Sequence, residues 1–229
     1  MVIPGLFLGK GRLGKACWHR PFFQKWQSLS RCSAGTTYQG DLCEMSLKEL
    51  PTYETVIFAI SPGSRTELAY EKIYIDALTA ALTHLQYKRF ILCSSTAIYA
   101  ENEGRWINEE STLDASSFRS TILGQAEMLV RNIAWDDFVI LRFSGLYQED
   151  GSSCGRKTKL PLNRWANKIS YQQGAMALEK ASLHNNLICQ EVFSITSDRP
   201  YREVYDPLQP CTGKRISNEK AKALLGLFL

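Results

Sequence analysis

The sequence has 229 residues, 45% hydrophobic and 22% charged, a balance that excludes a disordered or low-complexity chain and suits one large globular domain with at most a small appendage. Its net charge of +4 is uneven: residues 1–40 hold six Lys/Arg and no acid, and the rest carries 21 basic against 23 acidic residues. So local an excess favours an anion held near the N-terminus over a nucleic-acid-binding surface, and no apolar run is long enough to span a bilayer.

Behind the apolar run at residues 5–8, Gly9-Lys10-Gly11-Arg12-Leu13-Gly14 reads as a strand that breaks into a glycine turn and opens a helix. In such a turn the first glycine bends the chain, the second lets the backbone approach phosphates, and the third lets helix and strand pack closely. The helix N-terminus then faces the negative charge. The pattern alone is a weak signal for a dinucleotide, so the elements after it must decide. An acid-free, Arg- and Ser-containing N-terminus would also suit a transit peptide, but the glycine turn and a strand expected from Val2 lie inside it.

The first helix, from Arg12, should stop at Pro21. Residues 27–31 read as a short second strand, Gly40-Asp41-Leu42 leads to a helical turn near residues 46–50, and residues 55–60 form a buried strand ending at Ser61-Pro62-Gly63. Leu68, Ile73, Ile75, Leu78, Ala81, Leu82 and Leu85 recur at helical spacing over residues 67–85. A strand at 89–94, a helix at 116–133 and a strand at 138–142 follow. Residues 148–168, with Gly151, Gly155 and five basic residues, read as a flexible connection; helix, strand and helix are then expected at 174–181, 191–195 and 218–225. This alternation predicts a Rossmann-type α/β fold, a doubly wound parallel sheet. Residues 1–147 would form the dinucleotide-binding domain and 148–229 a small substrate-binding part interleaved with the sheet.

In such a sheet, ligands bind beyond the carboxyl ends of the strands. That singles out Ser61 and the hydroxyl run Ser94-Ser95-Thr96, which can serve a ligand or simply cap a turn. The seven cysteines are odd in number and scattered, without a C-x-x-C pair, which fits free thiols in a reducing cytoplasm better than a disulfide framework or zinc site. His19, His84 and His184 lack partners at metal-ligand spacing, so no metal is expected. A cytoplasmic location follows from the same features.

Five segments in order resemble the extended short-chain dehydrogenase/reductases of the nucleoside-diphosphate-sugar epimerase/dehydratase group. They are Gly9 to Gly14, Gly40-Asp41-Leu42, Ser94 to Tyr99, Leu141 to Tyr147, and Asn167-Lys168-Ile169-Ser170, with a further likeness at Gly213 to Asn218. The resemblance implies a pyrophosphate on Gly9, Gly11, Arg12, Leu13 and Gly14. It sets Asp41 and Leu42 beside adenine, and Ile60, Ser61 and Pro62 along the adenosine half. Phe143 and Ser144 fall where the chain passes the nicotinamide end, Ser94 is a further cofactor-binding residue, and Ser95 holds the substrate oxygen. The family's Tyr-x-x-x-Lys pair is missing, since alignment on Ala126-Glu127 puts Arg119 and Leu123 at those positions. Tyr99 is a substitute phenol for catalysis or a packed aromatic. Ser170-Tyr171-Gln172-Gln173 also departs, where relatives often carry a His and acids.

At the end of the second strand, Arg31 with Ser30 or Ser33, and no acid before Asp41, suits the 2′-phosphate of NADP rather than the ribose of NAD. The expected ligand is a small-molecule or nucleotide-linked carbonyl substrate. The alternative is a non-catalytic NADP(H) sensor. Helices 67–85 and 116–133 could pair two copies into a homodimer.

Overall fold

The computed structural model describes residues 3–31, 35–149, 163–183, 188–202 and 205–227. Val2, Ser33, His184 and most of the basic run at 148–168 lie outside these residues. Seven strands form one parallel sheet in the order β11-β7-β5-β4-β1-β2-β3. They are β1 (Ile3–Leu8), β2 (Gln27–Ser30), β3 (Tyr38–Gln39), β4 (Tyr53–Phe58), β5 (Tyr87–Ser95), β7 (Phe138–Phe143) and β11 (Glu191–Ile195). The chain moves outward from β1 through β2 to β3, then returns to the other side of β1 at β4. This reversal makes the β1/β4 boundary the topological switch point, where the strand ends leave a crevice.

Both sheet faces are covered, as strands buried on two sides require. Successive β1 residues take opposite faces: Leu6 and Leu8 join one apolar cluster and Phe7 the other. The first face carries α2 (Glu67–Glu71), α3 (Leu78–His84) and α4 (Phe118–Ile133); the second carries α1 (Arg12–Trp18), α5 (Tyr171–Ser182) and α6 (Glu219–Leu225). The helix from Arg12 ends at Trp18, capped at His19, and Pro21 starts a 3-10 turn, Pro21–Lys25, that buries Phe23.

The sequence pattern over 67–85 is one helical run, but it is not uniform. A π turn, Lys72–Ala77, joins α2 to α3. The extra residue per turn moves Leu68 out of the core, so that it is 75% exposed, while Ile73 and Ala77 remain buried. The β4 strand also differs from expectation. It pairs only through Phe58, and Ala59 and Ile60 continue past the glycine turn, with Ala59 N–H donating to Leu8 O at 2.9 Å.

A smaller four-stranded sheet, β12-β9-β13-β6, uses β6 (Glu103–Ile107), β9 (Arg164–Ala166), β12 (Tyr201–Arg202) and β13 (Thr212–Ile216). The segment expected to be a flexible connection therefore already contains β9 and the start of β10 (Lys168–Ser170), which pairs with β8 (Gly145–Tyr147). Arginines stack between aromatic rings across the small sheet. Arg215 lies 5.3 Å from both the Trp106 and Trp165 ring centroids, and Arg202 lies 4.7 Å from Trp165 and 3.9 Å from Tyr205. These cation–π contacts add to the burial of Ile107 and Ile216, which join the first apolar cluster. Ser170-Tyr171-Gln172-Gln173 is a capping box opening α5: Ser170 Oγ accepts from Gln173 N–H, and Gln173 Oε1 accepts from Ser170 N–H. No helix among the described residues is long and apolar enough to cross a membrane.

Candidate functional site

The site is built along the carboxyl ends of β1, β2, β4, β5 and β7. Gly9 has φ +96°, and a Cβ there would lie 2.9 Å from Ala59 O, so the turn after β1 requires glycine. Gly14 faces the strand, where an added Cβ would meet Gly9 O at 3.0 Å and Phe7 at 3.2 Å. At Gly11 an added Cβ would meet nothing within 4 Å among the described residues beyond its chain neighbours, and its φ of −74° suits any residue. The first-turn N–H groups of α1, those of Arg12, Leu13 and Gly14, have no carbonyl within the helix to receive them. The turn thus sets backbone N–H groups at the carboxyl end of β1.

Next to the turn, a cleft of about 240 Å³ is lined by Gly9, Gly11, Arg31, Asp41, Leu42 and Ile60, with Ile73 and Ala77 from the π turn. Asp41 lies 3.6 Å from Lys72 and 4.0 Å from Arg31. The Cys43 N–H, followed by those two cations, holds its carboxyl below the usual range. Folding thus brings an acid beside Arg31 that lies ten residues away in sequence. Lys10 and Ser30 line the same cleft.

The cleft continues through Gly11, Ile60 and Ser61 into a second chamber of about 510 Å³, bounded by Arg12, Leu13, Ser94, Ser95, Phe143 and Ser144. The Ser144 Oγ is buried there without a hydrogen-bond partner among the described residues. Ser95 caps the 3-10 turn Thr96–Ile98, its Oγ accepting from Ala97 N–H at 3.2 Å. The turn-capping alternative is therefore true of Ser95, yet it uses only an acceptor lone pair and leaves the hydroxyl hydrogen to donate. Ser95 also borders a cavity of about 640 Å³ walled by the small sheet, with Asn102, Asp114, Arg164, Trp165, Asn167 and Lys214 around it. Burial holds the Lys214 ammonium below the ordinary lysine range, and its Nζ donates to Tyr99 O.

Pro62 lines a further cavity with Ser95 and Arg119, and not the cleft beside Asp41. Ser94 Oγ donates its hydrogen to Glu127 Oε1 at 2.7 Å, on the α4 face of the sheet. Tyr99 is 2% exposed; its hydroxyl bonds Ser194 Oγ at 2.7 Å and accepts from Arg142 Nη1 at 3.0 Å. Burial raises the Tyr99 phenol above its usual range despite the facing Arg142. Its hydroxyl is thus engaged in a packed network with Ser194 and Arg142. Arg142 in turn holds Glu127, with Nη2 to Oε2 at 2.7 Å and both side chains 4% exposed. Burial opposes the Arg142 charge, but Glu127 overcomes this and raises its pKa.

Sequence reasoning missed Ile73, Tyr74, Ala77, Asn102, Trp165 and Lys214. Ile73, Tyr74 and Ala77 lie in the π turn, an irregularity frequent at functional sites, and the apolar spacing of residues 67–85 did not mark it. Among the described residues no cluster of His, Cys, Asp and Glu could hold a metal ion.

A parallel sheet of this order, with a glycine turn at its switch point, defines a Rossmann-type α/β fold. No family model matches the sequence, and no curated protein matches it. Solved structures do. A short-chain dehydrogenase/reductase superfamily protein from Agrobacterium tumefaciens, with bound NAD, is similar at TM-score 0.79 and 16% identity, over 98% of this chain and 92% of that one. MoeE5 in complex with UDP-glucose and NAD gives 0.78 and 15%, over 98% and 93%. UDP-glucose 4-epimerase from Thermotoga maritima with UDP-glucose gives 0.75 and 17%, over 99% and 93%. At these identities the likeness establishes a shared fold.

Proposed function

We propose that this chain is an NAD(P)-dependent protein of the epimerase/dehydratase-like short-chain dehydrogenase/reductase family. It would act on a carbonyl or nucleotide-linked substrate seated at Ser95. The observation that carries this reading is the position of Ser95, which borders both the chamber continuous with the glycine turn and the cavity under the small sheet. Gly9, Gly11, Gly14 and the N–H groups of Arg12 and Leu13 would hold the pyrophosphate, Asp41, Leu42, Ile60 and Ser61 the adenosine, and Phe143 and Ser144 the nicotinamide end. Residues 1–147 would carry most of the dinucleotide contacts and 148–229 the substrate wall. The dinucleotide, once bound, supplies or accepts hydride. Ser95 donates a hydrogen bond to the substrate oxygen, and the Lys214 ammonium is the proton source that replaces the missing phenol.

Steady oxidation of reduced cofactor by a panel of carbonyl compounds, lost in Ser95→Ala with dinucleotide binding kept, is the expected result. Because burial lowers the Lys214 pKa, turnover should fall as pH rises through a value below the ordinary lysine range. Lys214→Met should remove that alkaline limb. A profile unchanged in Lys214→Met refutes the assignment of the proton.

NADP is the proposed cofactor, because Arg31 borders the adenosine cleft and Lys72 is closer than Arg31 to the Asp41 carboxylate. Arg31→Ala should weaken NADP by about tenfold and NAD little. Tighter NAD than NADP in the unaltered protein would overturn this, and NAD is what the similar Agrobacterium protein and MoeE5 contain. The engaged hydroxyl of Tyr99 supports a second reading, a sensor of NADP(H) occupancy without turnover. A cofactor that binds but is never consumed would favour it.

A further inference from the structure

Ser95 borders a third cavity, of about 400 Å³, lined also by Ser61, Ser64, Arg65, Tyr70 and Arg119. Among the described residues its charged lining is two arginines, with no Asp or Glu; the small-sheet cavity, by contrast, sets Glu101 and Asp114 against its cations. Arg119 is the second residue of the 16-residue α4, and nothing in helix stability explains a cation there, since the helix dipole disfavours positive charge in the first turn. Its guanidinium carbon lies 5.6 Å from the Phe118 ring centroid and 6.0 Å from that of Tyr70. Those rings steady the cation but offer no lone pair in its plane. The Arg119 Nε is buried without a hydrogen-bond partner among the described residues. A buried N–H left so is unfavourable, and an oxyanion is the acceptor that suits a guanidinium fork.

We propose that this cavity is an oxyanion subsite, receiving a carboxylate or phosphate that the substrate carries close to its reacting carbon. Arg119 is the main partner, Arg65 the outer one, and the hydroxyl of Ser64 adds a neutral donor. The proposal rests on the reading of Ser95 as the residue that orients the substrate. It narrows the substrate to an acid-bearing carbonyl or hydroxy compound, because the subsite and Ser95 share one cavity.

The test is calorimetric titration of oxalate, methyl phosphate and uncharged oxamide into the protein, both free and saturated with dinucleotide. At least one anion should bind in both states and oxamide in neither. Arg119→Gln should weaken that anion by about tenfold, with partial recovery in Arg119→Lys, and leave dinucleotide affinity within about twofold. Thermal melting of both variants excludes a folding defect as the cause. Equal binding of oxamide, or an Arg119→Gln variant that binds the anions undiminished, overturns the proposal. So does displacement of the anion by dinucleotide, which would assign the seat to the cofactor's own phosphates. If Arg119-dependent anion binding occurs in a protein that binds no dinucleotide, the subsite stands and the cofactor reading falls.

Discussion

Glu127→Ala is expected to destabilise the protein by about 3–5 kcal/mol, the cost of stranding a buried charge. In a chain of this size that is a fall in melting temperature on the order of 10 °C. The reason is local. Arg142 Nε and Nη2 both donate to Glu127, and Arg142 Nη1 donates to Tyr99 Oη and Glu109 O. Removing the carboxylate leaves a guanidinium in the core with a phenol and one carbonyl for company. Glu127→Leu combined with Arg142→Met should recover most of the loss, because an apolar pair of similar volume removes both desolvation costs. Urea denaturation of the single and double variants measures this. A single-variant loss under about 1 kcal/mol would show that water reaches the pair. The network also ties Ser94, the residue before Ser95, to α4. Tyr99→Phe removes one hydrogen-bonding hydroxyl and should cost about 1 kcal/mol while turnover persists, since the hydroxyl is engaged with Ser194 and Arg142.

The parts of this fold that were readable in sequence are those where a single local rule decides. The runs at residues 55–60, 89–94 and 138–142 are apolar on both faces, as only doubly covered parallel strands are, and Pro21 ends its helix wherever it is placed. The strands of the small sheet obey no local rule. β6 and β13 are held by pairing between residues more than a hundred positions apart, and by arginines stacked on tryptophans. Charged and aromatic residues in such a sheet look like surface until their partners are known. The candidate site divides in the same way. The glycine turn was legible because its chemistry is backbone chemistry. The approach of Asp41 to Arg31, the engagement of Tyr99 by Arg142, and the exposure of Lys214 to the Ser95 cavity are products of tertiary packing, and no spacing encodes them.

The three glycines of the turn should therefore respond differently to the same substitution. Gly9→Ala forces a non-glycine residue to φ +96° and sets its Cβ 2.9 Å from the Ala59 carbonyl. Strain of this kind costs on the order of 1–3 kcal/mol, so this variant should lose stability and binding together. Gly14→Ala meets Gly9 O at 3.0 Å and Phe7 at 3.2 Å, and should push α1 off β1 with a smaller loss of both. Gly11→Val is the informative one. Its backbone φ is −74° and, among the described residues beyond its chain neighbours, nothing lies within 4 Å of an added Cβ, so the melting temperature should stay within about 2 °C of the unaltered protein. Dinucleotide affinity should nevertheless fall by more than about a hundredfold, because the side chain occupies the space through which the pyrophosphate must approach the backbone. Fluorescence titration of the reduced cofactor, alongside thermal melting, separates the two effects. A Gly11→Val protein that melts normally and binds normally would place the phosphates elsewhere, and the glycine turn would then serve only to bring α1 close to the sheet.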